Sequence, residues 1–202
     1  EQTTSAAFPQ LVLNQLADLD DYKKAQIDRN VKAAVAKLQN FQRPDGGFSY
    51  WPGGSESDDW ATSYAGHFLL EAEAKGYTIP AGFKPAWVRY QKAAARDWTS
   101  VSGKYKYLAY QQSDLMQAYR LFTLALAGSA EMGAMNRLRE RNDLSVEAAW
   151  RLAAAYVLAG QPEAARELIR DKGTKLNAYK GFSPTYGSAE RDEAMILETL
   201  VL

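Results

Sequence analysis

The chain has 202 residues, 47% of them hydrophobic, with 24 basic residues against 24 acidic ones and a formal net charge of zero. That balance gives no support to nucleic-acid binding or to a polybasic membrane surface, and no apolar run approaches the ~20 residues of a membrane span. Cysteine is absent and His67 is the single histidine, so thiolate chemistry and multi-histidine metal binding are excluded from these residues, and no cofactor or metal is expected.

Helical periodicity runs through almost the whole chain. Residues 5–17 carry Phe8, Leu11, Val12, Leu13 and Leu16, with Pro9 placed in a first turn, where its missing N–H costs little. Residues 21–42 set Ile27, Val31, Ala34, Val35, Leu38 and Phe41 at spacings of three and four, one apolar face of a long helix. The stretch RPDGGFSYWPGGSESDD, with two prolines and four glycines, then breaks the pattern. A helix from about Asp59 to Lys75 follows, bearing Trp60, Tyr64, Phe68 and Leu69. Asp58 and Asp59 suit its N-terminus, where a carboxylate meets the helix dipole. A further helix spans 84–98, with Trp87, Val88, Ala94 and Trp98, before TSVSGKYK breaks the chain again.

The later half repeats itself. AYRLFTLALAG at 118–128 matches AWRLAAAYVLAG at 149–160, and each is followed by a shorter amphipathic helix, near 130–140 and 162–171. Gly160 with Pro162 is a helix stop followed at once by a start. GFSYWPGGSESDDWATSY at 47–64 is echoed by GFSPTYGSAERDEAMI at 181–196. Hairpins recurring about every thirty residues, with no alternating strand run, predict an all-α fold, and the long aromatic and glycine-rich loops favour an α/α toroid over an open solenoid. The whole of 1–202 reads as one domain. EQTTSAAFPQ at one end and EAMILETLVL, which lacks a helix-closing signal, at the other are expected to be cuts in a longer polypeptide.

The opening residues Glu1, Gln2, Thr3, Thr4, Ser5, Phe8 and Pro9 resemble the segment that follows the thioester cysteine in bacterial α2-macroglobulins, whose motif is Cys-x-Glu-Gln. LQNFQRPDGGFSYWPGG, DWATSYAGHFLLEAEAKGY, QAYRLFTLALAG, MNRLRE and YGSAERDEAMILETL resemble the same domain in the same order. The resemblance therefore covers nearly the whole chain and implies a helical toroid, here without its last helices.

It also implies a non-enzymatic protease inhibitor. Gln2 would be the thioester acyl donor and Glu1 the adjacent acid of the motif, with Tyr50, Trp51 and Trp60 as aromatics that shield the bond. The partners would be trapped proteases and neighbouring domains of the same polypeptide, in the periplasm or cell envelope of a parent exported as a lipoprotein. A thioester is an acyl electrophile with a good leaving group, so it must be kept from water until needed. This chain has no cysteine and cannot itself hold one. Relatives that acylate hydroxyls use a histidine in the segment corresponding to Ser100–Gln112. That segment carries Tyr105, Tyr107 and Tyr110 instead, so direct reaction with amines is expected.

Two other functions fit the same architecture. A toroidal carbohydrate-active enzyme would need paired acids, and Asp45, Asp58 and Asp59 are the only cluster near the aromatic loops. A docking scaffold would need no chemistry: AAWRLAAAYVLAGQPEAARELI resembles half a tetratricopeptide repeat, but residues 40–110 do not keep that period, whereas the resemblance to the macroglobulins also allows a non-covalent docking toroid of a member that lacks the reactive cysteine. His67 is read as a packed helix residue, and Glu190–Glu193 as a solvated first turn.

Overall fold

A computed structural model describes residues 1–100, 113–176 and 187–202, and these form ten α-helices, two 3-10 helices and no strand. One antiparallel bridge, Gln42 to Phe48, is the sole strand-like pairing among them. The all-α class expected from the periodicity is what forms. Among the described residues, no helix is long and apolar enough to cross a membrane. The chain divides into two compact units, Glu1–Tyr90 and Gln91–Leu202.

In the first unit, α1 is Gln2–Ala7, followed by a 3-10 helix Phe8–Leu11 and a short α2, Leu13–Leu16. The single helix expected over 5–17 is thus three pieces, and it starts earlier. Pro9 is the cause: it removes one i→i−4 donor and crowds the preceding turn, so the chain tightens and Val12 N–H donates to the Pro9 carbonyl three residues back, at 3.2 Å. Helix α3, Asp21–Leu38, is capped by Asp20, whose side chain accepts from Lys23 N–H at 2.7 Å. Its predicted stripe holds, with Val31, Ala34, Val35 and Leu38 all buried. A 3-10 turn, Gln39–Phe41, leads into the loop 42–58, and α4 is Asp59–Ala74.

Helix α4 is buried on most of its surface, including Trp60, Phe68 and Leu69. It is the element against which the unit packs. Helix α5, Phe83–Asp97, sets the fully buried Trp87 against it. The Trp87 indole N–H donates to the Thr62 carbonyl at 2.9 Å. Gly66 makes this approach possible, because a Cβ there would lie 2.3 Å from the indole nitrogen.

The second unit carries the repeat. Helices α6, Asp114–Leu126, and α8, Val146–Leu158, are each followed by a shorter helix, α7, Met132–Arg139, and α9, Pro162–Ile169. The capping is the same in both hairpins. Ser113 and Ser145 accept from the N–H groups of Met116 and Ala148 at 3.1 and 3.3 Å. Gly128 and Gly160 close α6 and α8 at φ of +69° and +73°, a left-handed turn that costs glycine nothing. Ser129 and Gln161 then donate back to Leu124 and Tyr156 at 2.9 and 2.8 Å, completing the closing motif. The sequence repeat is therefore a repeat of caps as well as of apolar positions.

The Arg-Leu pair shared by the two hairpins places Arg120 and Arg151 in the interior. Arg120 donates to Gln91 and Gln117, and Arg151 lies 4.3 Å from the Phe122 ring centroid while it reaches Glu198 at 2.7 Å. Glu198 belongs to α10, Ala189–Val201, which packs on α8. The outward face of α10 exposes Leu197, Leu200 and Val201. A toroid without its last helices, as the resemblance implies, would expose apolar residues such as Met195, Ile196 and Leu200. Ile196 is instead buried, because it lies on the side of α10 turned inward with Asp192 and Thr199.

The first turn of α10 also differs from the solvated turn expected at Glu190–Glu193. Asp192 is buried and ion-paired to Arg191 at 2.6 Å. Burial pushes the Glu147 carboxyl, in the first turn of α8, above its ordinary value of 4.5, and the charges of Asp192 and Asp114 add to this. A hydrogen bond from its own backbone N–H and the Arg191 charge oppose the shift. A carboxyl whose folded pKa is raised binds its proton more tightly in the folded state, so stability falls as pH rises from about 4.5 through the folded value. Glu147→Gln is therefore expected to be more stable than wild type at neutral pH and indistinguishable from it at the acid end. Thermal melts of both proteins across that range check this; parallel pH profiles would refute it.

Candidate functional site

The residues singled out at the start of the chain form α1 and the turn after it, which packs on α4 through Phe8. Glu1 occupies the N-cap position of α1 but its side chain accepts no capping hydrogen bond; Ser5, one turn on, turns its hydroxyl back toward it. Ser5 Oγ lies 2.9 Å from both the Glu1 carbonyl oxygen and the Glu1 Oε1. The other carboxylate oxygen, Oε2, is shut off from solvent and has no hydrogen-bond partner. Gln2 is exposed, while Thr4 and Ala7, on the opposite side of the turn, are buried. Alternate burial along one short helix anchors α1 and leaves the Gln2 amide facing outward.

The anchor is aromatic. The Phe8 ring centroid lies 5.8 Å from Tyr64, 4.9 Å edge-on from His67 and 5.8 Å from Phe68, three residues on one face of α4. Tyr64 hydrogen-bonds Ser5, and burial pushes its phenol above the ordinary value near 10, with the Ser5 hydrogen bond opposing and the Glu1 charge reinforcing the shift. The Trp60 ring lies 6.5 Å from Tyr64. Glu1, Ser5, Tyr64 and Trp60 thus form one connected set.

The expected shielding aromatics divide. Trp60 is 7% exposed and belongs to that connected set, whereas Tyr50 and Trp51 are 38% and 70% exposed and pair edge-on with each other at 5.2 Å on the loop. The loop is firmly built. Ser49 N–H donates to the Phe41 carbonyl, Asp58 N–H to Phe48 and Phe48 N–H to Thr62 Oγ1, at 2.9, 2.8 and 2.8 Å, and Arg43 also donates to the Gly54 carbonyl. Trp51 is therefore held outward by a rigid frame.

His67 is a packed helix residue, as expected, with its ring against Phe8 and its Nε2 3.9 Å from Glu71 Oε1. Two of the three aspartates near the aromatic loop have structural roles. Asp58 caps α4 by accepting from Ala61 N–H at 2.7 Å, and Asp45 accepts from Gly47 N–H and from the Ser57 hydroxyl. A cleft of about 320 Å³ beside α2 and α3 is lined by Gln10, Asn14, Gln15, Lys24 and Lys75 among others, and no carboxylate lines it. Paired acids suited to glycoside chemistry are not present there. No group of three or more His, Asp or Glu able to hold a metal occurs among the described residues. The segment Ser100–Gln112, with Tyr105, Tyr107 and Tyr110, lies outside the described residues beyond Ser100, as does the second Gly-Phe-Ser loop.

Sequence reasoning missed Tyr64 and Ser5 as partners of Glu1. The spacing of Glu1 and Ser5, one helical turn, was the available signal; the role of Tyr64 depends on how α1 lies on α4 and leaves no trace in local sequence.

No protein-family model matches the chain. It is similar to an alpha-2-macroglobulin of Escherichia coli K12, 26% identical over 99% of this chain, and to one of Xylella fastidiosa, 28% identical over 98%. The chain spans only 13% and 12% of those relatives' lengths. Among solved structures it resembles Escherichia coli alpha-2-macroglobulin activated by porcine elastase, with a TM-score of 0.82 and 25% identity over all of this chain and 19% of that one. It also resembles Salmonella alpha-2-macroglobulin reacted with methylamine, with a TM-score of 0.77 and 26% identity over 98% of this chain and 13% of that one.

Proposed function

We propose that this chain, a homologue of one segment of the bacterial alpha-2-macroglobulins, is the thioester domain of a protease-trapping inhibitor. Gln2 is the acyl donor, linked in the parent polypeptide to a cysteine two positions before Glu1. The observation that carries the reading is the placement of Gln2: exposed on a short helix whose other side is pinned by Thr4, Ala7 and Phe8 to an aromatic face of α4. An acyl carbon there is presented on a rigid support with aromatic surface beside it. The thiolate leaves and an amine takes its place, which needs an accessible nucleophile approach and no further cofactor.

In this reading the parent's partners are proteases, captured through their lysines, and the neighbouring domains of the same polypeptide. The similarity to relatives described as activated by elastase and as reacted with methylamine supports both the protease partner and the amine chemistry. The parent acts in the periplasm or at the cell envelope, the setting that the family resemblance implies. Trp60 backs the site, and Tyr50 and Trp51 offer an outward aromatic surface that a neighbouring domain covers.

The test is intact mass and thiol titration of the parent protein before and after methylamine. Addition of one methylamine with release of one thiol is expected, and Gln2→Ala is expected to abolish both. A parent that takes up no methylamine would leave a docking function. That second reading has one observation in its favour, the exposed apolar face Leu197, Leu200 and Val201 of α10.

A further inference from the structure

Helix α1 contains a carboxylate that is only half satisfied. The Oε1 of Glu1 and its own backbone carbonyl share a single nearby hydroxyl, that of Ser5, which has one proton to give. Oε2 has no donor and no solvent. A carboxylate oxygen removed from water without a hydrogen bond is costly, and it is relieved by a cation that brings its own donors. The surroundings fit an ammonium in particular. Tyr64 hydrogen-bonds the same Ser5, and its ring lies 5.8 Å from that of Phe8 and 6.5 Å from that of Trp60, so an aromatic cluster stands one hydroxyl away from the carboxylate. Gln2 is the next residue along the helix and is exposed. Successive helical residues point about 100° apart, so a cation held by Glu1 is beside the Gln2 side chain without being blocked by it.

We propose that the Glu1 carboxylate selects the nucleophile, receiving a lysine ammonium and delivering it as a neutral amine to the Gln2 acyl carbon. This rests on the thioester reading above and deepens it. A lysine arrives protonated and cannot attack in that form. Glu1 takes one proton from the ammonium. The nitrogen lone pair then forms the C–N bond to the acyl carbon of Gln2, and the C–S bond breaks with its electron pair going to sulfur. A second nitrogen proton passes to the thiolate, and Glu1 returns its proton to water. The products are an amide, a thiol and one released proton, so the step balances without any other reactant. The carboxylate thereby favours amines that arrive as cations over neutral nucleophiles.

The test uses the parent protein and two small nucleophiles: methylamine, which is charged at neutral pH, and hydroxylamine, which is largely uncharged there. Rates are followed by thiol release and normalised to the total thiol released on exhaustive reaction. Glu1→Gln is expected to slow methylamine by about a hundredfold, the lower range for loss of a general base, and to leave hydroxylamine within a small factor. The pH profile for methylamine should steepen in the variant, because only amine already neutral in solution can then react. Equal slowing of both nucleophiles would assign Glu1 a structural role and overturn the inference, as would no slowing of either. If Glu1→Gln forms no thioester, Glu1→Asp serves instead. It keeps the charge and should preserve the wild-type ratio of the two rates, whereas loss of that ratio with the charge intact would also overturn the inference. No thiol release in the wild-type parent would be a different failure, sinking the thioester reading and this inference with it.

Discussion

Gly46→Ala is expected to destabilise the chain by about 3–4 kcal/mol and to unseat the aromatic loop. Two effects combine at this buried position. Its backbone φ is +100°, where an L side chain is strained by about 1–3 kcal/mol. A Cβ would also lie 2.2 Å from the Ala86 carbonyl oxygen and 2.6 Å from its carbon. Those atoms are backbone of α5, so the neighbour cannot swing aside as a flexible side chain would, and overpacking of this kind costs about 1–3 kcal/mol. The same turn is tied to its surroundings by the Gln42 amide, which lies 3.4 Å from both the Gly46 and Phe83 carbonyls. Shifting it would move the strand-like bridge and with it Tyr50 and Trp51. Thermal unfolding should show a loss of about 10 °C, from the usual entropy of unfolding for a chain of this size. Tryptophan fluorescence of the folded variant should change as well. A melt within 2–3 °C of wild type, on the same scale, would mean that the loop accommodates the methyl group and that its rigidity is overstated.

Glu198→Ala is expected to cost more than the larger change Arg151→Met. The Arg151 side chain is 2% exposed while that of Glu198 is 41% exposed, so the two partners are not equivalent. Removing Glu198 leaves a buried guanidinium with its Nε already lacking an acceptor. Breaking a wholly buried pair in this way costs about 3–5 kcal/mol, and water reaching the Glu198 side reduces it here to about 2 kcal/mol. Arg151→Met removes the charge that needed a partner, keeps an extended side chain over Phe122, and leaves Glu198 free to be hydrated. Its cost is expected to stay under about 1 kcal/mol. The double variant should then be no worse than Arg151→Met alone. Urea unfolding of the three variants measures the order, and amide exchange within α10 should rise for Glu198→Ala, because Arg151 and the Thr199 hydroxyl on the Trp150 carbonyl tie that helix to α8. If Arg151→Met proves the more damaging change, stacking on Phe122 outweighs the ion pair.

These two cases mark different degrees of legibility. The Arg-Leu repeat at 120 and 151 is plain in the sequence, but its burial is not, since arginine in a helix is ordinarily a surface residue. Gly46 stands out as part of a Gly-Gly turn, yet the Ala86 carbonyl that makes it indispensable comes from forty residues away. At the candidate site, Glu1 and Gln2 were singled out by a contiguous motif and its resemblance to a known family, and the position of Trp60 on a helix was legible from its spacing. The separation of Trp60 from Tyr50 and Trp51 was not legible, because an aromatic residue in a loop is buried or exposed according to what lies above it.

By itself the sequence determined the helical class, the hairpin repeat and nearly every helix of the described residues. Those features depend on local spacing, serine caps and glycine stops, which act within a turn or two of the chain. It also determined the absence of cysteine, and so the inability of these residues alone to form a thioester. Only the tertiary structure decided that Pro9 divides the first helix into pieces, that Ile196 and Asp192 face inward, and that Glu1 is left with a half-satisfied carboxylate beside Ser5 and Tyr64. Each of those outcomes depends on which surface a helix meets, and that surface is supplied by residues far away in the chain, where periodicity and propensity carry no information.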